Sequence, residues 1–172
     1  MYRGDGKRTL ARRAMVCERG IMPMIAVDTQ FGRLGLLEED GAITRLVWEG
    51  EDDEPDTPLL QEAAAQLRAY DAGQLRQFDL PLRVNGSEMQ RRVCDAMFAI
   101  PFGDTLTYGD IASELGYSAQ SVGQACGGNP IPVIIPCHRV LGATSLGGFS
   151  GDGGIETKVA LLRHEGAAGL LI

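Results

Sequence analysis

The spacing of apolar residues changes period along this chain. Over residues 24–48 they come in short runs: "MIAVDT", then two more inside "GRLGLLEEDGAITRLVWEG". Short apolar runs bounded by turn residues predict strands. The "EEDG" between the last two carries Asp-Gly, a strong hairpin signal. The acidic run "EGEDDEPD" predicts a solvated loop. The period then becomes helical. Leu60, Ala63, Ala64 and Leu67 share one face, Thr57 caps the start, Pro58 sits in the first turn and Gly73 stands near the end. "FDLPLRV" returns to extended structure.

From Gly86 onward the pattern is mostly helical. Ser87 and Gln90 have capping-box spacing. Val93, Ala96, Met97 and Ile100 follow at helical intervals until Pro101 and Gly103 break the run. Thr107 caps a second helix with Asp110 in its first turn and Gly116 after it; Tyr108, Ile111, Ala112 and Leu115 face inward. Ser118 caps a third, "AQSVGQAC", with Ala119, Val122 and Cys126 turned to the core. Two short helices around a Gly-containing turn fit a helix-turn-helix, or plain packing. The second helix carries no Arg or Lys, so it cannot read guanine bidentately in a major groove. "LGATSLGGFSGDGG" lacks the Lys-Ser/Thr of a phosphate loop. It reads either as a flexible loop or as backbone able to approach a ligand closely. A last helix begins at Ile155, turns Val159 and Leu162 inward, and ends in "LLRHEG".

Composition narrows the picture. The chain has 172 residues, 44% of them hydrophobic, which suits one domain or two small ones. No apolar run approaches the roughly 20 residues of a membrane helix. Residues 1–21 are basic and have no secretory-type apolar stretch, so they read as a tail; Met22 and Met24 leave a later start open. The four cysteines, Cys17, Cys94, Cys126 and Cys137, form no C-x-x-C pair, which argues for reduced thiols in the cytoplasm. Only His138 and His164 supply imidazoles, and neither has metal-ligand spacing, so no metal is expected. The net charge is −7, and residues 86–172 hold five Lys/Arg against eight Asp/Glu. A nucleic-acid partner would then depend on helix N-termini and backbone amides rather than on a basic surface.

The chemistry centres on "NPIPVIIPCHRVLG", residues 129–142, where Cys137 adjoins His138 on a segment that reads as extended. Adjacent side chains on a strand point to opposite faces. A buried structural thiol and an activated nucleophile therefore both fit. Pro130, Pro132 and Pro136 stiffen the approach. Glu165, in "HEG" on the last helix, could complete a thiol–imidazole–carboxylate chain or be a solvated helix-end carboxylate.

Asn129-Pro130 with Ile135-Pro136-Cys137-His138-Arg139-Val140 resembles the active-site signature of the O6-alkylguanine-DNA alkyltransferases, the methylated-DNA–protein-cysteine methyltransferases. "IPFGDTLTYGDIASELG", "SVGQACGGNPIPVIIPCHRV", "LGGFSG" and "KVALLRHEG" follow in family order, covering nearly all of residues 86–166, and the likeness is looser over 24–84. The resemblance implies a mixed α+β fold. Residues 22–84 would form a small ribonuclease-H-like sheet-and-helix domain. Residues 85–172 would form a mostly helical, winged-helix-like helix-turn-helix domain.

It implies stoichiometric, cofactor-free transfer of an alkyl group from O6-alkylguanine, with O4-alkylthymine as a second substrate, by a monomer on double-stranded DNA. Cys137 would accept the group. His138 would draw off the thiol proton through a water, oriented by Glu165. Asn129 would brace the turn. Tyr108 would donate to a ring nitrogen of the leaving guanine and help rotate the nucleotide out. The carbonyls of Cys137 and Val140 would receive the exocyclic amine, with Phe149, Ser150 and Gly151 in the pocket wall. Ala119, Gln120, Ser121 and Gly123 would lie in the minor groove, where small residues allow close approach. Two positions depart from the family pattern. Gln120 stands where most relatives have a stacking arginine, and Phe149 where tyrosine is usual. Two rivals are a non-reacting lesion sensor and a plain helix-turn-helix regulator. Neither has a use for a reactive cysteine.

Overall fold

The computed structural model describes residues 16–17, 20–52, 57–167 and 169. The expected tail over 1–21 lies mostly outside them. Its described part pairs β1 (Val16–Cys17) with β2 (Gly20–Ile21). Residues 53–56 of the acidic run also lie outside.

β3 (Met24–Thr29), β4 (Gly32–Glu39) and β5 (Ala42–Trp48) form an antiparallel sheet in that order. Asp40 and Gly41 both take positive φ and close a two-residue turn that pairs Glu39 with Ala42, as Asp-Gly requires. α1 (Pro58–Asp71) lies against the sheet. Its Leu60, Ala63, Ala64 and Leu67 are buried with Val27, Leu34, Leu36, Ile43 and Leu46. Each such Leu or Ile contributes about 1.5–3 kcal/mol by leaving water. Thr57 caps α1, accepting from Leu60 N at 3.1 Å. "FDLPLRV" does not form a full strand. Its ladder is a single bridge, where Ile43 N donates to the Pro81 carbonyl (2.8 Å) and Arg83 N to that of Ile43 (3.0 Å), and the Asp79 backbone exchanges two hydrogen bonds with the Gln66 side chain on α1 (2.9 and 3.0 Å). Pro81, which has no amide to donate to a ladder, keeps it irregular.

The second half holds α2 (Glu88–Phe98), α3 (Tyr108–Leu115), α4 (Ala119–Gly127) and α5 (Gly154–His164). Thr107 and Asp110 make the full reciprocal cap of α3, and Gly116 ends it in the left-handed region. Ser118 caps α4, which completes the helix-turn-helix. Three sequence expectations are corrected. Ser87 accepts from Gln90 N, but the Gln90 side chain does not return to the cap; it donates to the Ala125 carbonyl at 2.7 Å and ties α2 to α4. Ala119 is exposed, because the core stripe of α4 runs through Val122, Ala125 and Cys126. On α5 the buried residues are Lys158, Leu161 and Leu162, while Val159 is only half-buried.

A two-residue parallel pairing of β6 (Leu106–Thr107) with β7 (Val140–Leu141) brings the start of α3 beside the cysteine segment. The halves share one continuous core, and Leu46 N donates across it to the Pro130 carbonyl at 2.9 Å. Among the described residues no helix is long and apolar enough to cross a membrane.

Candidate active site

Cys137 and His138 do not sit on an extended segment. Residues Cys137–Arg139 form one turn of 3-10 helix, with Arg139 N donating to the Pro136 carbonyl at 3.0 Å. Proline at 136 has no amide to continue a strand ladder, so the chain turns there. Adjacent residues of such a turn still diverge, and the two side chains go to different places. The thiol lines a cavity; the imidazole is completely buried.

The approach to this turn is strained. Val133, a buried β-branched residue, has φ of +72°, a conformation that costs roughly 1–3 kcal/mol. Asn129 offsets that cost by bracketing the segment. Its Nδ2 donates to the Ile135 carbonyl at 2.8 Å, and its Oδ1 accepts from Ile131 N at 3.0 Å.

Glu165, the residue that ends α5, is buried rather than solvated. Its Oε1 accepts from His138 Nε2 at 2.8 Å, from Arg139 Nη2 at 2.9 Å and from the Tyr70 hydroxyl at 2.7 Å. Its Oε2 accepts from Arg139 Nε at 2.8 Å. A carboxylate can only accept, so His138 carries its proton on Nε2 and presents a bare Nδ1. Among the described residues no protein atom bonds that Nδ1. Burial pushes Glu165 up, but the hydrogen bonds and charges of His138 and Arg139 outweigh it and hold the carboxyl at about 2. Burial also pulls His138 down, more than Glu165 raises it, so the imidazole is neutral.

The cavity encloses about 450 Å³ and is lined mainly by apolar surface from Tyr108, Gly123, Cys126, Gly127, Cys137, Gly148, Phe149 and Ser150. Cys137, 6% exposed, opens to it. Burial raises the Cys137 thiol above its ordinary value, while a hydrogen bond from Asn129 and the charge of Lys158 oppose that shift. Tyr108 is pushed up by burial, then by the two cavity thiols, so it stays protonated and able to donate. Ser150 Oγ donates to the Gly127 carbonyl at 3.1 Å, closing one rim. Gly147 is required where it stands, since a Cβ there would meet the Tyr108 hydroxyl at 2.7 Å.

Not every expected residue reaches this cavity. Ala119, Gln120 and Ser121 form the outward first turn of α4, beside the opening rather than in it. Gly151 lies behind the wall, where a Cβ would strike Phe149 and Trp48. The Val140 carbonyl accepts from Lys158 Nζ at 2.7 Å. Three contributors escaped the sequence reading. Lys158 also donates to the Gly148 carbonyl (3.1 Å) and straps the glycine-rich segment to β7. Tyr70 reaches Glu165 from the other half of the molecule. Cys126, expected only to turn to the core, shares the cavity with Cys137, and burial pushes its thiol up to about 12. A buried lysine in an amphipathic helix looks like any surface lysine in sequence; only the two carbonyls it meets distinguish it.

The fold and the site together define a class of protein that sets a cysteine in the wall of a cavity beside a helix-turn-helix. Two family models match the chain: the 6-O-methylguanine DNA methyltransferase ribonuclease-like domain over residues 24–84, and the DNA binding domain of the same proteins over residues 88–167. The chain belongs to the 6-O-methylguanine DNA methyltransferase family. It is 42% identical over 149 residues to a methylated-DNA–protein-cysteine methyltransferase of Mycolicibacterium paratuberculosis, covering 81% of this chain and 89% of that one. A constitutive methylated-DNA–protein-cysteine methyltransferase of Bacillus subtilis is 38% identical over 152 residues, covering 80% and 92%. Among solved structures, the Mycobacterium tuberculosis O6-methylguanine methyltransferase matches with a TM-score of 0.75 at 38% identity, over 85% of this chain and 93% of that one. The M. tuberculosis OGT in complex with DNA matches with a TM-score of 0.73 at 38% identity, over 86% and 96%.

Proposed function

We propose that this protein repairs DNA directly, as a methylated-DNA–protein-cysteine methyltransferase that moves the alkyl group from O6 of guanine onto Cys137. The single observation that carries the site assignment is a cavity thiol followed directly in the chain by a buried imidazole that a carboxylate holds. His138 Nδ1 takes the thiol proton through a water. The Cys137 sulfur attacks the alkyl carbon in line, a C–S bond forms and the C–O6 bond breaks. The electron pair leaves on the guanine, whose ring nitrogen is protonated by Tyr108. His138 gives up the thiol proton through water to re-protonate Tyr108, so the proton lost by the thiol balances the one gained by the base. A thioether has no easy way back, so each molecule acts once and needs no cofactor.

The alkyl carbon is out of reach in a stacked duplex, so the nucleotide is turned out into the cavity at a cost of about a few kcal/mol. The exposed first turn of α4, with Ala119, Gln120, Ser121 and Gly123, lies in the minor groove. Residues 22–84 act as a ribonuclease-H-like scaffold and 85–172 carry the reaction, as a monomer. O4-alkylthymine shares the alkyl–oxygen chemistry and is a second substrate. Unpaired buried thiols and a DNA substrate suit the cytoplasm.

Incubation with a duplex containing O6-methylguanine, followed by intact-protein mass measurement, tests this reading. A gain of one methyl that is absent in Cys137→Ala is the expected result. Lesion binding with no mass gain would instead identify a sensor, and preference for one unmodified sequence a regulator.

A further inference from the structure

The Glu165 carboxylate receives a hydrogen bond from far along the chain. Tyr70, on α1, donates its hydroxyl to Oε1 at 2.7 Å across 95 residues of sequence separation. Its ring is buried against Phe78, Phe102 and His164, with centroids 5.4, 6.3 and 5.0 Å away. The Tyr70 carbonyl in turn accepts from His164 Nε2 at 2.7 Å. α1 therefore grips two consecutive residues of the last helix, one through its backbone and the next through its side chain. Packing alone would be served by phenylalanine. A hydroxyl in this apolar setting costs desolvation unless bonded, and here it bonds the same oxygen that holds His138.

We propose that Tyr70 is a positioning residue for alkyl transfer: its hydroxyl fixes the Glu165 carboxylate and limits the pull of that carboxylate on the His138 proton, so Nδ1 remains a base. The inference rests on the role proposed above for His138. A donor to a carboxylate favours its charged form and disperses the charge. Removing it leaves Oε1 more basic, and a more basic Oε1 stabilises protonated His138. The groups around this pair are few. His138 faces Glu165, Arg139 and Lys158, with Cys137 next in sequence. Glu165 faces His138, Arg139 and Tyr70, with His164 beside it; Asp71, next to Tyr70, is bonded to Gln30.

The test measures single-turnover methyl transfer against pH for the full chain with an O6-methylguanine duplex. In the wild type the rate falls on the acid side as His138 gains a proton. In Tyr70→Phe that acid limb moves up by about one pH unit, a roughly tenfold loss of rate on the acid side. Phe31→Leu serves as the structural control. It trims the ring 6.2 Å from that of Tyr70 and leaves the hydroxyl in place; thermal stability falls and the limb stays. In a Glu165→Gln background, Tyr70→Phe has no carboxylate to act on and leaves the limb where Glu165→Gln alone puts it. An unmoved limb in Tyr70→Phe, or an equal shift in Phe31→Leu, overturns the proposal. A wild-type limb that persists in the slow His138→Asn variant overturns it too, by removing the base on which it rests.

Discussion

At the scale of the residue, the site is a set of buried polar groups whose protonation is fixed by their partners. Glu165 is held at about 2 and His138 is held neutral below its ordinary value. Both folded-state values are depressed, so both groups bind protons more readily when the chain unfolds. Their contribution to stability is present at neutral pH. It begins to fade as pH falls below the ordinary histidine value near 6.5, then fades further below the ordinary glutamate value near 4.3 and on toward 2. The urea midpoint should therefore drop as pH falls from 7 to about 4 and drop again between about pH 4 and pH 2, and Glu165→Gln, though starting lower, should lose only that second drop. An equal acid sensitivity in that variant would mean that the pair does not govern the transition. Sequence reading singled out Cys137, His138 and Asn129 by one signature and Glu165 by a later motif in family order. It did not find Tyr70 or Lys158, since their roles depend on contacts across 95 and 18 residues that no local spacing encodes.

At the scale of the element, two surfaces carry distinct consequences. The first turn of α4 is outward and uncharged, with Gln120 at its tip. An arginine there would add stacking and phosphate attraction, each worth about 1 kcal/mol or more. Gln120→Arg should tighten duplex affinity and steepen its salt dependence by about one counterion; an unchanged or weaker affinity would show that this turn does not face the DNA. The second surface is the cavity wall. Trp48 of β5 packs edge-on behind Phe149, with centroids 6.3 Å apart and rings at 79°. Phe149 is therefore backed from the N-terminal half. Trp48→Ala should let the wall recede and raise the rate for a benzyl-sized group relative to methyl, by about tenfold or less, in a competition assay. An unchanged ratio would leave the wall to Tyr108 and the glycines alone. The helix periods, the Asp-Gly turn and the caps at Thr57, Thr107 and Ser118 were legible because they are local. The 3-10 turn at Cys137 was not, because an apolar run between prolines fits a strand equally well until Asn129 and Glu165 are in place.

At the scale of the whole molecule, the N-terminal half is more than a platform. Its sheet and α1 complete the core, and its Trp48 and Tyr70 reach the wall and the carboxylate of the site. The acidic balance over residues 86–172 provides no charged field for DNA, so the proposed contact relies on α4 and backbone groups. The mixed architecture could be read ahead of the structure from the change of apolar period and the family likeness; the joint between halves could not, since it is made by single side chains. What everything turns on is that one sulfur, at the floor of this cavity, receives the alkyl group, although Cys126 lines the same space. The most direct measurement is fragmentation mass spectrometry of the protein after reaction with O6-methylguanine DNA, locating the methyl group. The expected result is S-methylation on the peptide carrying Cys137 and on no other; a methyl on Cys126 or Cys94, or on neither these nor Cys137, would contradict it.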